Sequence, residues 1–352
     1  MNPVEALNEI AFRLEFERAP QFKVQAFRRA SAIVAALAPD ELAERAADGR
    51  LKNTKGIGAS TFEVVSQALG GDVPHRLEKL RADAVEILSE EGRALHAQIR
   101  GDLHSHSDWS DGTTSIDLMV EAGRMLGRHY LALTDHSPHL TVAHGLTAER
   151  LTEQLAVVES INAGGGSTST DLTSADSAYA SEPLRLLTGI EVDILDDGSL
   201  DQTPELLERL DVVVASIHSH LRVDSRTMTD RMLGAIADPH TNILGHCTGR
   251  LVEGSRGTRP PSEFDAQRVF AACAENDVAV EINARPERQD PPDELIALAL
   301  EAGCLFSIDS DAHAPGQLAL LDYGIERAAR AGIAAERIIT TWPLERVLAW
   351  AS

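Results

Sequence analysis

Ile99-Arg100-Gly101-Asp102-Leu103-His104-Ser105-His106 runs from an apolar start into two histidines at positions i and i+2, with Asp111 shortly after. Residues so spaced on an extended strand point to the same face, so one strand end offers two imidazoles to a single point in space. The arrangement recurs. Asp135-His136 follows the run Tyr130–Thr134, Glu191 follows Leu184–Ile190, His218 follows Val212–Ile217, His246 follows Asn242–Leu244, and Asp311-Ala312-His313 follows Leu305–Ile308. With Val278–Ile282 these make seven strand-like runs. Between them lie helix-like stretches at Asp117–Leu126, Ala148–Ile161, Thr227–Ala237, Glu263–Glu275 and Asp293–Ala302. Alternating strand and helix in this number predicts a parallel α/β barrel. The histidines and carboxylates fall at the C-terminal ends of six of the seven strands, where barrel active sites are assembled.

A single His-x-His is weak on its own, because neighbouring strand positions commonly carry paired polar residues. Recurrence at six strand ends carries the expectation of a metal cluster. Imidazoles and carboxylates without thiolates suit Zn²⁺, Mn²⁺ or Fe²⁺, and the donors outnumber the roughly four that one tetrahedral zinc uses, so two or three divalent ions are expected. Asp309 and His220 share faces with Asp311 and His218 and compete with them; Asp-x-His pairing favours Asp311, and His220 reads as supporting a ligand or facing substrate. Asp135 and Asp193 read as hydrogen-bonding supports.

The 352 residues exceed one typical domain and carry a formal charge of −23, which argues against a chain that coats nucleic acid non-specifically. The charge is uneven. Residues 1–100 hold 14 Lys and Arg against 15 Asp and Glu, so −22 falls on the remainder, and within 18–58 basic residues lead by 8 to 4. Cys247, Cys273 and Cys304 are isolated, with no disulfide framework or CxxC pair. No signal-peptide pattern or long apolar run is evident, and a cytoplasmic location with no membrane partner is the expectation.

Residues 1–85 read as helices only. Leu7, Ile10, Ala11 and Leu14 keep the helical period, as do Val24, Phe27, Ala30, Ile33 and Val34, with breaks at Pro20 and Pro39. Leu51-Lys52-Asn53-Thr54-Lys55-Gly56-Ile57-Gly58 then leads into a further helix, a helix-hairpin-helix pattern whose glycines and following helix start can hold a phosphate. Gly-x-Gly often marks only a tight turn, so its place after a basic helix is what favours DNA contact at Lys52, Lys55, Gly56 and Gly58. Residues 86–100 read as a linker helix, and 163–181, with its Gly-Ser-Thr run, as a flexible insertion.

Asp102–Gly112, Leu133–Ser137, Ser216–Ser219, Gly245–Arg250 and Ser310–His313 resemble the motifs of the PHP (polymerase and histidinol phosphatase) family. The likeness covers about 100–350. It is closest to the PHP domain at the C-terminus of bacterial family X DNA polymerases, on Thr141–Thr147, Glu281–Ala284 and the tail Thr341–Trp350. Residues 1–85 resemble the small N-terminal domain of those polymerases. The intervening polymerase core is missing, so polymerase activity is not expected. The resemblance implies a distorted (β/α)₇ TIM-like barrel at 101–352 and the metal ligands His104, His106, Asp111, His136, Glu191, His218, His246, Asp311 and His313. Glu191 would bridge metals. Arg250, Arg222, Asn283 and Arg285 would stand on the phosphate side or support ligands, with Glu191, Arg250 and Asn283 taken as catalytic. Ser60 and Val64 stand where lyase-active relatives carry lysines, so lyase chemistry is not expected.

The implied chemistry is phosphate-ester hydrolysis by metal-bound hydroxide. Three readings stay open: 3′–5′ exonuclease or phosphatase action on DNA 3′ ends or nucleotides in a repair setting, a small-metabolite phosphatase of histidinol-phosphatase type, and a non-catalytic DNA-binding scaffold with structural metals.

Overall fold

Asn2 caps the first helix by accepting the Val4 N–H at 2.8 Å, and Pro3 takes a position where a missing N–H costs nothing. The computed structural model describes residues 1–165, 184–254 and 257–352 and divides into two units, the first spanning Met1–Glu86 and the second beginning at Ile87. Most of the expected insertion at 163–181 lies outside the described residues.

The first unit is helical: α1 (Pro3–Phe16), α2 (Gln21–Ala35), α3 (Pro39–Ala47), α4 (Ala59–Leu69) and α5 (His75–Ala82). Leu7, Ile10, Ala11 and Leu14 of α1 bury the stripe that their period predicts, against Val24, Phe27 and Val34 of α2 and Val64, Val65 and Ala68 of α4. Within this core the Arg28 guanidinium meets the Glu15 carboxylate at 2.7 Å. Between α3 and α4, Gly56 turns with φ +100°, a conformation that favours glycine, and a Cβ there would also press on Ile33 Cδ1 at 2.7 Å.

The second unit begins with α6 (Glu90–His96), capped by Ser89. It is shorter than the linker helix expected at 86–100, and it is no linker. The Glu326 carboxylate accepts from the Ser89 N–H and hydroxyl at 2.8 and 2.9 Å, so this segment is part of the barrel unit. The remaining elements are β1 (Gly101–Asp102), α7 (Ile116–Met125), β2 (Tyr130–Leu133), α8 (Ala148–Ser160), β3 (Arg185–Asp193), α9 (Pro204–Leu207), β4 (Val212–Ser216), α10 (Ser225–Ile236), β5 (Ile243–Leu244), α11 (Ala266–Glu275), β6 (Ala279–Asn283), α12 (Asp293–Glu301), β7 (Phe306–Asp309), α13 (Leu321–Arg330) and α14 (Leu344–Ala351). All seven strands are parallel and ordered as in sequence. A parallel bridge between Ser105 and Ala312 brings the ends of the sheet together. This is the TIM-like barrel expected from the sequence.

Alternation divides each strand between two environments. Outward residues such as Ile190, Val213, Ala215, Val280, Ile282 and Ile308 pack in the larger core that also takes α10, α11, α12 and α13. Tyr130, Ala132, Leu187, Val212, Val214, Ile243 and Ala279 form a second core, which plugs the N-terminal end of the barrel. The inward row continues upward into polar groups: His136 beyond β2, Glu191 and Asp193 on β3, His218 beyond β4, Glu281 and Asn283 on β6. On β5 the row passes through Gly245, where a Cβ would lie 2.3 Å from Ser216 Oγ and 2.8 Å from Val214 Cγ1. Among the described residues no helix is long and apolar enough to cross a membrane.

Gly245→Ala therefore overpacks the barrel and is expected to destabilise it by about 1–3 kcal/mol, read as a lower urea midpoint, with Ser216→Gly restoring part of the loss.

Candidate metal centre

Glu191 is 1% exposed, and five histidines from four other strand ends reach its carboxylate. Oε2 lies 2.8 Å from His136 Nδ1, 3.4 Å from His104 Nε2 and 3.7 Å from His106 Nε2. Oε1 lies 2.9 Å from His246 Nε2 and 3.3 Å from His218 Nε2. Beyond His106, Asp311 Oδ1 stands 3.4 Å from its Nε2, and Asp111 Oδ1 stands 3.1 Å from His313 Nε2 and 3.5 Å from His136 Nε2. All nine side chains named as ligands from the sequence thus form one connected cluster. Three overlapping groups have ligand atoms within 4.8 Å of one another: His106 with Asp111, His136 and His313; His104 with His106 and Glu191; His136 with Glu191 and His218.

Many of these atoms are buried and, despite their short separations, make no well-directed hydrogen bond: His104 Nε2, both nitrogens of His106, His136 Nδ1, Glu191 Oε2, His218 Nε2 and His246 Nδ1. Each unmet buried group costs about 1–3 kcal/mol, and gathering them without a cation has no structural benefit. The donor set of imidazoles and carboxylates, stripped of other partners and aimed at one another, fits divalent metal ions.

The electrostatics agree with that fit. Burial favours a neutral Glu191 carboxyl, but the surrounding His104, His218 and His136 outweigh it and hold the group well below the usual carboxylate range. Burial likewise opposes charge on His218, yet Glu191 and Asp193 lift it to about 9. His104 is raised in the same way by Glu191 and Glu281 against its burial. His106 behaves oppositely: burial, helped by the neighbouring His313 and His136, pushes it down to about 3 and leaves a neutral ring with one nitrogen lone pair free to ligate.

A supporting layer orients the ligands. Asp193 Oδ1 lies 2.5 Å from His218 Nδ1 and Glu281 Oε1 lies 2.6 Å from His104 Nδ1, so in both rings Nε2 is the nitrogen turned to the centre. The other Glu281 oxygen accepts the His246 N–H at 2.5 Å. Asn283 donates to Asp311 Oδ2 at 3.1 Å and to Glu281 at 3.3 Å. Arg288 Nε lies 3.2 Å from Asp311 Oδ2, and Arg285 Nη1 lies 3.0 Å from His313 Nδ1 and donates to the Asp311 carbonyl. Asp135 accepts from Ser107, Ser110 and Gln154 and so braces the first motif.

Glu281 and Arg288 carry parts of this layer and were given no role from the sequence, where each is one polar residue without informative spacing. Asp309 accepts the Leu103 N–H at 2.8 Å. His220 is 62% exposed and pairs with Asp196 at 2.7 Å. Arg250 does not join the cluster: its guanidinium donates to the carbonyls of Arg288 and Gln289, bracing their loop, and among the described residues no hydrogen bond or ion pair links it to the nine. Arg222 is exposed. In the helical unit Lys52 and Lys55 are exposed around the Gly56 turn, Gly58 precedes α4, and Val64, at a position lacking the lyase lysine, is buried core.

The PHP domain family matches residues 102–285. The DNA polymerase/3′-5′ exonuclease PolX of Bacillus subtilis is 36% identical over 269 residues, which is 76% of this chain and 43% of that protein. A probable phosphatase of Thermoanaerobacter sp. is 26% identical over 170 residues, 46% of this chain and 65% of its own. The chain therefore spans less than two thirds of either relative. A crystal structure of histidinol phosphate phosphatase from Lactococcus lactis, complexed with zinc, L-histidinol and phosphate, is 17% identical with a TM-score of 0.47, covering 65% of this chain and 93% of that one.

Replacing Glu281 by Gln removes the charge that holds His104 Nδ1 and the His246 backbone while keeping the volume. Affinity for Zn²⁺ or Mn²⁺ is expected to fall about 10–100-fold in a competition titration, with the far-ultraviolet spectrum unchanged.

Proposed function

The chain belongs to the PHP family, and from that membership we propose that it is a metal-dependent phosphoesterase acting on DNA 3′ ends or nucleotides, as a 3′–5′ exonuclease or 3′-phosphatase. The observation that carries the reading is the buried Glu191 carboxylate with one oxygen turned to His218 and His246 and the other to His104, His106 and His136. Such a carboxylate suits the bridge between two cations, and the outlying group of His106, Asp111, His136 and His313 suits a further one, giving two or three ions drawn from Zn²⁺, Mn²⁺ and Fe²⁺. Divalent ions held there would polarise a phosphate oxygen, lower the pKa of a coordinated water and stabilise the departing oxygen.

The chain's own residues hold the geometry. Asp193 and Glu281 fix the rings of His218 and His104, so the charge at the centre is in place before substrate arrives. Asn283, Arg285 and Arg288 hold Asp311 and His313 against rotation. Asp111, 36% exposed, is the ligand candidate most open to solvent and marks the side from which a phosphate enters.

The DNA assignment draws on the helical unit. Lys52 and Lys55 precede the Gly56 turn, and the next helix starts at Ala59 behind Gly58, which has no side chain to cap it, an arrangement that accepts a backbone phosphate. The similarity to the B. subtilis protein, named as a 3′-5′ exonuclease, favours the same substrate class. A small phosphorylated metabolite is the second reading, favoured by the acidic charge of residues 101–352 and by similarity to probable phosphatases.

Cleavage of a 3′-recessed duplex by the metal-loaded chain is expected to be lost in His104→Ala and in the presence of a chelator. Turnover of histidinol phosphate with no action on DNA would instead establish the metabolite reading. Lys52→Glu/Lys55→Glu is expected to weaken DNA binding and to lower the salt-dependence slope by about 2, measured by fluorescence anisotropy between low and physiological salt.

A further inference from the structure

At the N-terminal end of the barrel, away from the histidine cluster, lies a cavity of about 440 Å³ lined by Arg100, His129, Trp342 and Arg346, with Gln98 and Glu336 at its walls. Arg100 and His129 immediately precede β1 and β2, whereas the metal-ligand candidates lie at or beyond the strands' C-terminal ends. The bottom of such a barrel ordinarily serves stability.

Among the described residues no carboxylate neutralises the charge here, and the Arg346 side chain is held by stacking on Trp342 alone. The chain carries 55 acidic residues against 32 basic ones, yet among the described residues neither arginine forms an ion pair and the His129 ring meets no carboxylate. Glu336 is exposed, and its carbonyl accepts from Trp342 Nε1 at 3.0 Å. Two arginines, of which Arg346 is exposed, and one histidine thus line one cavity in a strongly acidic protein, with Glu336 the one carboxylate beside them.

The walls are also fixed. Arg100 N–H donates to the Thr340 carbonyl at 2.8 Å, and the His129 N–H donates to the Arg100 carbonyl at 2.6 Å. The Arg346 guanidinium stacks 3.6 Å over the Trp342 ring, which is 5% exposed and meets Trp350 edge-on. Stacking holds the planar fork of Arg346 in one orientation, a state that loses little freedom when it grips an anion. At about 30 Å³ per water, the cavity has room for roughly fifteen waters, far more than a single phosphate displaces.

We propose that this cavity is a second ligand site, which binds the phosphate group of a small phosphomonoester through Arg100, His129 and Arg346 and houses its organic part in the remaining volume. The site stands independently of the chemistry at the metal centre. Isothermal titration of the full chain with inorganic phosphate, ribose 5-phosphate and a 5′-deoxynucleoside monophosphate tests it, run on wild type, His104→Ala and Arg100→Ala/Arg346→Ala. Saturable binding that persists in His104→Ala, weakens at least about tenfold in the double variant, and is tighter for the phosphomonoesters than for inorganic phosphate is the expected result. The two phosphomonoester arms distinguish a sugar phosphate from a nucleotide. Absence of saturable binding in His104→Ala, or binding unchanged in the double variant, would overturn the site, and affinity no greater than that for inorganic phosphate would overturn the phosphomonoester assignment. Arg346→Lys, which keeps the charge but loses the fork and the stacking, provides the same readout if the double variant does not fold: weaker binding supports the site, and wild-type binding contradicts it.

Discussion

Everything at the C-terminal mouth of this barrel is arranged around one buried negative charge. Moving a carboxylate out of water costs several kcal/mol even after relaxation, so an ionised Glu191 persists only where positive charge surrounds it. Five histidines supply that surrounding, but their protonation preferences conflict: His104 and His218 are drawn toward the charged form, while His106 and His246 are driven from it by burial. Protons alone therefore satisfy the cluster poorly, as the nitrogens without a well-directed hydrogen bond record. Divalent cations remove the conflict, because a neutral imidazole and an ionised carboxylate are both in their ligating forms.

The scaffold makes the convergence possible through its strand alternation. Small or apolar inward residues close the bottom of the barrel, so the polar row above them is the first place with room for ligands. Gly245 is part of this design, since Ser216 and Val214 occupy the space that its side chain would need. The two-residue strands β1 and β5 end early and free His104, His106 and His246 from strict alternation, which would turn His246 away from the face shared by Ile243 and Gly245. Rigid parallel strands position the ligands, and the loops beyond them carry the groups that hold those ligands still.

Much of this was legible in the sequence, for physical reasons. His104 with His106 and Asp311 with His313 are conspicuous in the sequence as i, i+2 pairs of ligand types, although in the fold both pairs lie just beyond the ends of β1 and β7 and Asp311 has φ +50°. The seven strands stand out because both faces of a parallel sheet are buried and leave apolar runs. Glu281 was harder to read: a single carboxylate within an apolar strand has no spacing to reveal its role, and only the fold shows that it spans His104 and the backbone of His246. Arg250 donates from Nε and Nη2 to the carbonyls of Arg288 and Gln289, a bracing role set by long-range contacts that no local spacing reveals. The linker reading of 86–100 failed similarly, because the partner that binds the cap at Ser89 is Glu326, far along the chain. The cationic cavity left no local motif, since Arg100, His129 and Arg346 meet only when the barrel closes.

The most direct test of the central claim is an anomalous-diffraction map from crystals of the chain loaded with Mn²⁺ or Zn²⁺. Peaks on both sides of Glu191, one within bonding distance of each carboxylate oxygen, are the predicted result. A single peak that leaves either oxygen unligated, or none near Glu191, would contradict the bridging role from which the rest of the account follows.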